Sequence, residues 1–408
     1  MRTSIEAAIT RLRGDRMGPE APQINSPSSL RSSLYKLASL FLRLGATAMG
    51  GPAVHIAMME EEVVTRRAWL KREEFLDFLG ATNLIPGPNS TEMAIHVGRV
   101  RAGWPGLLVA GVSFILPAAL MVTALAWAYV RYGTLPQIAA LLYGVKPVVI
   151  VIIAQGAYRL GRSAVKSAWL GVLGAMALAA SALGVDPLAT LFGGGIVAAL
   201  VHLRQEAGAS RGAVGALSVL ATAAGGLSVP FSLAVLFLVM LKIGATLFGG
   251  GYVLVAFLRS DLIARLHWLT ERQLLDAVAA GQVTPGPLFT TATFIGYVLG
   301  GLSGAIAATV GIFLPAFALV AISGPLVPRL RRSALVGAAL DGINVAALAL
   351  MIAVSAQLAR TAVVDWLTLA IGVASAVLLF RYRLNSAWLV AGGAAAGAVS
   401  LLVRGGTH

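Results

Sequence analysis

Long apolar runs follow one another through this chain with only short breaks between them, and they constrain its fold more than any other feature. Each run approaches the ~20 apolar residues that an α-helix needs to cross a bilayer, and none shows the alternation of a membrane β-strand. The runs lie at roughly 37–59, 75–98, 106–130, 135–157, 167–183, 187–203, 212–229, 231–257, 273–299, 303–325, 333–358, 362–380 and 385–403. The sequence therefore predicts an all-α polytopic membrane protein with about 13 transmembrane helices.

The composition excludes a soluble enzyme and a nucleic-acid-binding module. Charged residues make up 12% of the chain, against about 25% in soluble domains, which is too few to cover a water-facing surface. Lysine and arginine outnumber aspartate and glutamate by 31 to 17. In a membrane protein this excess is typical of cytoplasmic loops that meet anionic lipid. The chain has no cysteine, so disulfides and thiolate metal sites are excluded.

An internal repeat divides the chain into two related halves. The segment 45–51 (GATAMGG) recurs as 244–250 (GATLFGG), and the Pro-Gly-Pro segment at 86–88 recurs at 285–287, both at an offset of 199 residues. Further matches are Trp69 with Trp268, Asp77 with Asp276, 114–118 with 313–316 after the loss of one residue and, at the reduced offset, Lys146 with Asn344. Chance does not keep one register over such a length, so we expect two homologous copies of one unit.

We expect four segments. A polar cytoplasmic tail occupies 1–36, the first repeat 37–207, a linking transmembrane segment 208–230 and the second repeat 231–408. The tail lacks the continuous apolar run of a secretory signal.

Loop charges predict that the two copies have opposite orientations. Arg99 and Arg101 follow the second span and are cytoplasmic by the positive-inside rule, whereas the matching loop at 300–303 has no charge. The odd span at 212–229 would invert the second copy, which gives two inverted-topology repeats with broken helices, as in many secondary transporters. The basic loop at 66–72 disagrees, because it would lie outside. Re-entry of the first segment at 50–52 would correct this loop but lower the count, and we keep 13 spans.

Two segments in each half are broken at membrane depth by glycine or proline. Proline removes a backbone donor and interrupts a helix, and unpaired backbone groups persist in a membrane only where they line a cavity or another helix. A helix that restarts after such a break presents free N–H groups and a positive dipole end. Matched breaks in inverted halves therefore favour an oxyanion cradle over packing kinks. The candidate substrate-binding residues are Asn83, Pro86, Gly87, Pro88, Asn89, Ser90, Thr91, Lys146, Gly249, Gly250, Gln282, Thr284, Pro285, Gly286, Pro287, Thr290 and Thr291.

Two lysines lie inside predicted spans, where burial of a charge is expensive. Lys146 would attract an anion, and the alternative is a structural ion pair with Asp341. Lys242 is explained at least as well by snorkelling toward an interface as by a ligand role.

Three further ionisable residues are candidates for proton coupling. Glu92 and His96 lie four residues apart on one helical face, and His55 follows the first Gly-Gly break. A Glu–His pair could relay a proton, and for His96 a packing role is an equal alternative. The pair has the spacing Glu-x-x-x-His and not the His-Glu-x-x-His of zinc proteases, and no Walker-type phosphate loop occurs. We therefore expect no enzymatic activity, no metal and no cofactor.

The paired motifs resemble the chromate ion transporter (CHR) family, long two-domain type, over almost the whole chain beyond the tail. The resemblance rests on 41–52, Trp69, 83–88 and 114–118 in the first half, and on 248–252, Trp268, 282–287 and 313–316 in the second. It implies a multi-pass protein of the bacterial inner membrane that exports chromate and confers resistance to it. We expect chromate and membrane lipid as partners, no nucleic acid, and a chain that could form a homodimer.

A negative cell interior pushes a dianion outward by about 4.6 kcal/mol per 100 mV. Export could therefore run on the membrane potential, with proton exchange through Glu92 and His96 as an addition. Two alternatives stay open. Sulfate or another oxyanion has the same charge and shape as chromate, and a non-transporting membrane scaffold or sensor would use the breaks only for packing.

Overall fold

The computed structural model describes residues 27–133, 135–206, 230–248, 251–323, 333–382 and 384–405, and this part of the chain forms helices and no strand. The α-helices are α1 (Pro27–Thr47), α2 (Pro52–Glu60), α3 (Arg72–Thr82), α4 (Asn89–Tyr132), α5 (Pro136–Ala164), α6 (Ala168–Ala182), α7 (Pro187–Glu206), α8 (Leu233–Thr246), α9 (Leu254–Leu258), α10 (Glu271–Val283), α11 (Thr291–Ser323), α12 (Ala334–Ala362), α13 (Trp366–Arg381) and α14 (Ser386–Gly405). Short π-helical turns at Glu61–Arg66 and Arg259–Arg265 extend α2 and α9.

Several of these helices match the thickness of a bilayer. Five helical segments of the described chain are long and apolar enough to cross a membrane: Asn89–Tyr132, Pro136–Ala164, Pro187–Glu206, Leu288–Ser323 and Ala334–Ala362. Shorter apolar helices accompany them at Ala168–Ala182, Leu233–Thr246, Trp366–Arg381 and Ser386–Leu402. The predicted all-α polytopic membrane fold is confirmed.

The two longest helices are each folded into an antiparallel hairpin. In α4 the helical path is interrupted at Ala102 and Gly103, and a Cβ on Gly98 would collide with the carbonyl oxygen of Gly106. Residues eight apart would lie about 12 Å apart along a straight helix, so the chain reverses between them. The arms of α4 are therefore 89–101 and 104–132.

In α11 the reversal occurs at Gly300 and Gly301, and the hydroxyl oxygens of Thr293 and Thr309 lie 2.7 Å apart across it. The arms of α11 are 291–299 and 302–323. The second hairpin repeats the first because both use the same backbone turn: Gly103 has φ 60° and Gly301 has φ 61°, a conformation that glycine adopts at little cost.

The first broken segment of each half returns to the side from which it enters. Arg43 in α1 and Glu62 beyond α2 form an ion pair of 2.6 Å, although the break at 48–51 lies between them. In the second half the ring of Phe231, just before α8, lies 5.2 Å from the ring of Trp268 in the returning loop. The chain therefore folds back at the glycine-rich break in both copies.

The Pro-Gly-Pro segments make a second re-entrant hairpin in each half. The first arm of α4 ends at Arg101, whose guanidinium lies 5.3 Å from the centre of the Trp69 ring in the loop before α3. Both ends of the segment 72–101 thus lie on one side. The structure therefore differs from 13 straight spans, because the predicted spans 37–59, 75–98, 231–257 and 273–299 are hairpins. The basic loop at 66–72 consequently lies on the same side as Arg101, and its disagreement with the positive-inside rule disappears.

In each half, one helix packs against two helices of the other half. α5 packs against α13 and α14 of the second half, and α12 packs against α6 and α7 of the first. Glycines allow the backbones to touch: Gly144 lies against Gly393, and Gly342 against Gly194. Small residues at such contacts are how helices associate in lipid, where burial of apolar surface supplies no drive.

The second arms of α4 and α11 run antiparallel against each other. Gly111 of α4 lies against Phe317 of α11, and Arg99 at the start of the α4 turn reaches the carbonyls of Val320 and Ala321 at the end of α11. Equivalent helices therefore point in opposite directions, as the inverted-repeat prediction requires. Most of the predicted tail and linking segment, together with Gly249 and Gly250 of the candidate site, lie outside the described residues.

Candidate anion-binding site

The two Pro-Gly-Pro segments cross over and bond to the opposite half. The Gly87 N–H donates to the Leu247 carbonyl at 2.9 Å, and the Gly286 N–H donates to the Ala48 carbonyl at 2.9 Å. Each donor and each acceptor is related to its counterpart by 199 residues, so one bond is the image of the other. The broken segments therefore face each other in the interior of the bundle, as an anion cradle requires.

Glycine is needed at the centre of both segments. Gly87 has φ 144° and Gly286 has φ 94°, a region that side chains disfavour. A Cβ on Gly286 would also collide with Ala118, while one on Gly87 would lie in contact with Ala316. Ala118 and Ala316 belong to the repeated Leu-Pro-Ala motif, so each Pro-Gly-Pro segment packs against that motif of the other half.

Several of the predicted polar residues already have local hydrogen-bond partners. The Asn89 amide donates to the Asn83 side chain at 2.7 Å, which braces the loop. The hydroxyls of Thr284 and Thr290 donate to the carbonyls of Ala280 and Pro287. These bonds shape the segments, and they occupy the hydroxyls of Thr284 and Thr290 and one amide N–H of Asn89 in this state.

Other predicted residues keep unused hydrogen-bonding capacity. Within the described part of the chain, the hydroxyls of Thr91 and Thr291 and the amide nitrogen of Gln282 have no partner. Ser90, Thr91 and Thr291 are buried. A buried polar group without a partner is costly, and a tetrahedral oxyanion would satisfy such donors.

Glu92 is the most deeply buried carboxyl group of the described chain. Its side chain is 0% exposed, and neither oxygen has a partner among the described residues. It lies beside the first Pro-Gly-Pro segment, since a Cβ on Gly87 would collide with Glu92 Oε1. One turn further along, the His96 ring stacks on Phe78 at 5.1 Å.

His55 is placed apart from that pair. Its Nε2 lies 3.1 Å from the Ala48 carbonyl, the same oxygen that accepts the Gly286 N–H. The ring meets Phe114 edge-on at 5.7 Å. His55 therefore supports the second Pro-Gly-Pro segment, while Glu92 and His96 lie at the first.

Lys146 is buried and faces a carboxylate of the other half. Its Nζ lies 3.4 Å from Asp276 Oδ1, and the Tyr129 hydroxyl donates to Asp276 Oδ2 at 3.0 Å. Asp341 pairs instead with Lys166 at 2.7 Å, so the alternative of a Lys146–Asp341 bridge is wrong. Asp276 precedes the end of α10 by seven residues, about 10 Å along the helix axis. Lys146 therefore lies at a separate point from the crossing of the breaks.

Sequence reasoning missed the roles of Asp276 and Tyr129 and misjudged Lys242. Lys242 pairs with Asp261 at 2.5 Å instead of snorkelling. This pair and Arg43–Glu62 are images of each other at the 199-residue offset, a signal that was present in the repeat and would have found both.

The chain is similar to known proteins over both halves. A family model described as "Chromate transporter" matches residues 35–199 and 234–398. The chain belongs to the chromate transporter family. The two matched ranges coincide with the two structural copies, so each copy is one family unit.

Curated relatives cover most of the chain. A "Chromate transport protein" of Cupriavidus metallidurans is 32% identical over 94% of this chain and 98% of its own length. A protein of the same name from Pseudomonas aeruginosa is 34% identical over 86% of this chain and 87% of its own. An "Uncharacterized transporter" of Bacillus subtilis, YwrA, is 33% identical over 33% of this chain and 75% of its own. No solved structure matches the chain.

Proposed function

We propose that this multi-pass membrane protein is a secondary transporter that exports chromate across the bacterial inner membrane and confers chromate resistance. The crossed pair of hydrogen bonds, Gly87 to Leu247 and Gly286 to Ala48, is the observation that carries the proposal. It brings four helix breaks from two inverted copies together inside the bundle, which is the arrangement in which transporters bind ions.

The donors near this crossing fit a tetrahedral dianion. Thr91, Thr291 and Gln282 have unused donors, and helix N-termini favour negative charge. Lys146 supplies a buried cation at a second point, away from the crossing. A negative interior drives a dianion outward by about 4.6 kcal/mol per 100 mV, so the membrane potential alone favours export.

Glu92 is our candidate for proton exchange, with His96 beside it. A charged carboxylate without a partner is very expensive to bury, so buried Glu92 is more stable when it is protonated. Release of its proton requires contact with water. The protonation of Glu92 is therefore coupled to its exposure to water on one side of the membrane.

Uptake of radiolabelled chromate into proteoliposomes, with the potential set by potassium and valinomycin, tests the proposal. We expect saturable uptake that increases when the potential attracts the anion. Everted vesicles from expressing cells, with sulfate as competitor, test the direction. Uptake of sulfate with a lower KM than chromate would identify a sulfate carrier, and folded protein that carries neither anion would contradict transport.

Glu92→Gln tests the proton in the same assay. We expect this variant to keep potential-driven uptake and to lose the acceleration by a pH gradient, because the amide cannot release a proton. Thr309→Val is the control, since it removes a hydroxyl outside the candidate site, bonded to Ala305 and Thr293, without removing a titratable group. A full pH-gradient response in Glu92→Gln would contradict the role.

A further inference from the structure

The two copies of one helix occupy different positions in the bundle. α3 and α10 are related by the 199-residue offset. α10 packs against α4, α5, α12 and α14, and its Leu275 is 0% exposed, whereas the matching Leu76 of α3 is 47% exposed. The next residues repeat the difference, since Asp276 is buried and Asp77 is exposed. α10 is therefore packed on several sides, which we call docked, whereas α3 packs mainly against α4 and leaves the face of Leu76 and Asp77 exposed.

A loose ion pair ties the docked copy to the other half. The Lys146–Asp276 distance of 3.4 Å is longer than the 2.5 Å of Lys242–Asp261 and the 2.7 Å of Lys166–Asp341. Asp276 Oδ1, the oxygen that faces Lys146, has no hydrogen-bond partner among the described residues, while Oδ2 accepts from Tyr129. Asp276 is therefore held by Tyr129 and only approached by Lys146.

This pair has no charged equivalent in the repeat. Lys146 matches Asn344 at the reduced offset, so an ammonium is present at one of two related positions. The pairs Lys242–Asp261 and Arg43–Glu62, by contrast, are present in both copies. The single cation points to a function that only one copy performs.

We propose that Asp276 is a positioning residue that neutralises Lys146 in the docked state and is displaced from it by the transported oxyanion, while Tyr129 holds the released carboxylate. The proposal rests on the proposed function. A dianion and a carboxylate repel each other, and the ammonium of Lys146, even with the charge of Arg272 one helical turn before Asp276, cannot neutralise both. Binding of the anion at Lys146 therefore removes the ionic tie between α10 and α5.

Loss of that tie allows α10 to undock. In an inverted repeat the two copies exchange conformations when access changes sides, so undocking of α10 accompanies docking of α3. The anion thereby favours the state that releases it on the opposite side, which is the differential affinity that a ligand-driven change requires.

The absence of cysteine from the chain makes a direct test practical. Leu275→Cys and Leu76→Cys place one thiol at matched positions of α10 and α3. In vesicles with saturating chromate, we expect labelling of Leu275→Cys by a methanethiosulfonate reagent to accelerate about fivefold or more, within the usual range of coupling between sites, and that of Leu76→Cys to slow. Unchanged labelling rates in protein that transports chromate would overturn the displacement of Asp276 from Lys146 and leave the proposed function intact.

Two substitutions should move KM in opposite directions. Asp276→Asn removes the competing charge, so we expect a KM for chromate about fivefold lower and a lower maximal rate, because α10 no longer returns readily. Tyr129→Phe removes the alternative partner of Asp276, so we expect a higher KM. A purely structural role predicts the same direction for both variants, and that result would refute the proposal. Labelling of Leu275→Cys that responds to sulfate, in protein that carries no chromate, would support the displacement of Asp276 and refute chromate as the substrate.

Discussion

Gly286 has φ 94°, its N–H donates across to Ala48, and a Cβ at this position would collide with Ala118. Backbone freedom and close approach are both required there, so the residue controls whether the two halves can cross. At Gly301 the φ of 61° is also positive, but a Cβ would meet nothing within 4 Å. A side chain at Gly301 would meet only the cost of the backbone conformation, whereas one at Gly286 would also meet a collision.

Gly286→Ala should therefore be more damaging than Gly301→Ala. We expect Gly301→Ala to cost about 1 kcal/mol from backbone conformation alone and to keep transport. Gly286→Ala adds the collision, which should displace the crossed hydrogen bond, lower the melting temperature further and abolish chromate uptake. Thermal unfolding in detergent and vesicle uptake measure both effects. Equal behaviour of the two variants would show that the crossing tolerates a methyl group.

At the same scale, the sequence could predict the kinds of residue at the site but not their partners. The repeat identified Gly87 and Gly286, because glycine between prolines marks a break wherever it falls. It offered Asp341 as the partner of Lys146, where the structure has Asp276, because both acids come from the other half and the sequence does not indicate which one packs against Lys146. The packing of α10 against α5 brings Asp276 to Lys146, and no local sequence pattern indicates this packing.

The first re-entrant hairpin of each half is closed by an ion pair between its two limbs. Lys242 of α8 pairs with Asp261 beyond α9, and the Asp261 side chain is only 4% exposed. Removal of one partner of a buried pair is costly, because it leaves a charge without compensation, whereas replacement of both by apolar groups is often neutral.

Lys242→Met should therefore destabilise the hairpin, but by less than the about 3 kcal/mol of a fully uncompensated buried charge, because Arg265 remains 3.6 Å from Asp261. The double variant Lys242→Met with Asp261→Leu should recover most of this loss, since no buried charge is left unpaired. The apparent melting temperature of the three proteins in detergent measures the effect. A double variant no more stable than the single one would indicate that the pair contributes more than charge balance.

Element by element, hydropathy located the helices well but not their paths. The run at 37–59 has the length of a span, and a hydropathy pattern is the same for a segment that crosses and one that returns. The distinction depends on Arg43 meeting Glu62 across the break, a contact between residues 19 positions apart. The positive-inside rule gave the one available hint, through the loop at 66–72.

For the whole molecule, the inverted repeat explains features that look unrelated one at a time. The crossed bonds at the breaks, the exchange of α5 and α12 between halves and the twin ion pairs are all images under one operation. Departures from it include the position of α10 relative to α3, the single ammonium of Lys146 and Glu92, which matches Thr291. A symmetric scaffold with such departures has two related states, which is what alternating access needs.

The re-entrant hairpins also predict the sidedness of the whole chain. Lys71 and Thr270 are exposed and precede α3 and α10 at matched positions. With a cytoplasmic tail, 13 straight spans would put position 71 outside and 270 inside, whereas re-entry puts 71 inside and 270 outside. We expect an impermeant maleimide to label Thr270→Cys in intact cells, and Lys71→Cys only in everted vesicles. The reverse pattern would restore straight spans, and labelling of both from one side would refute the inverted repeat.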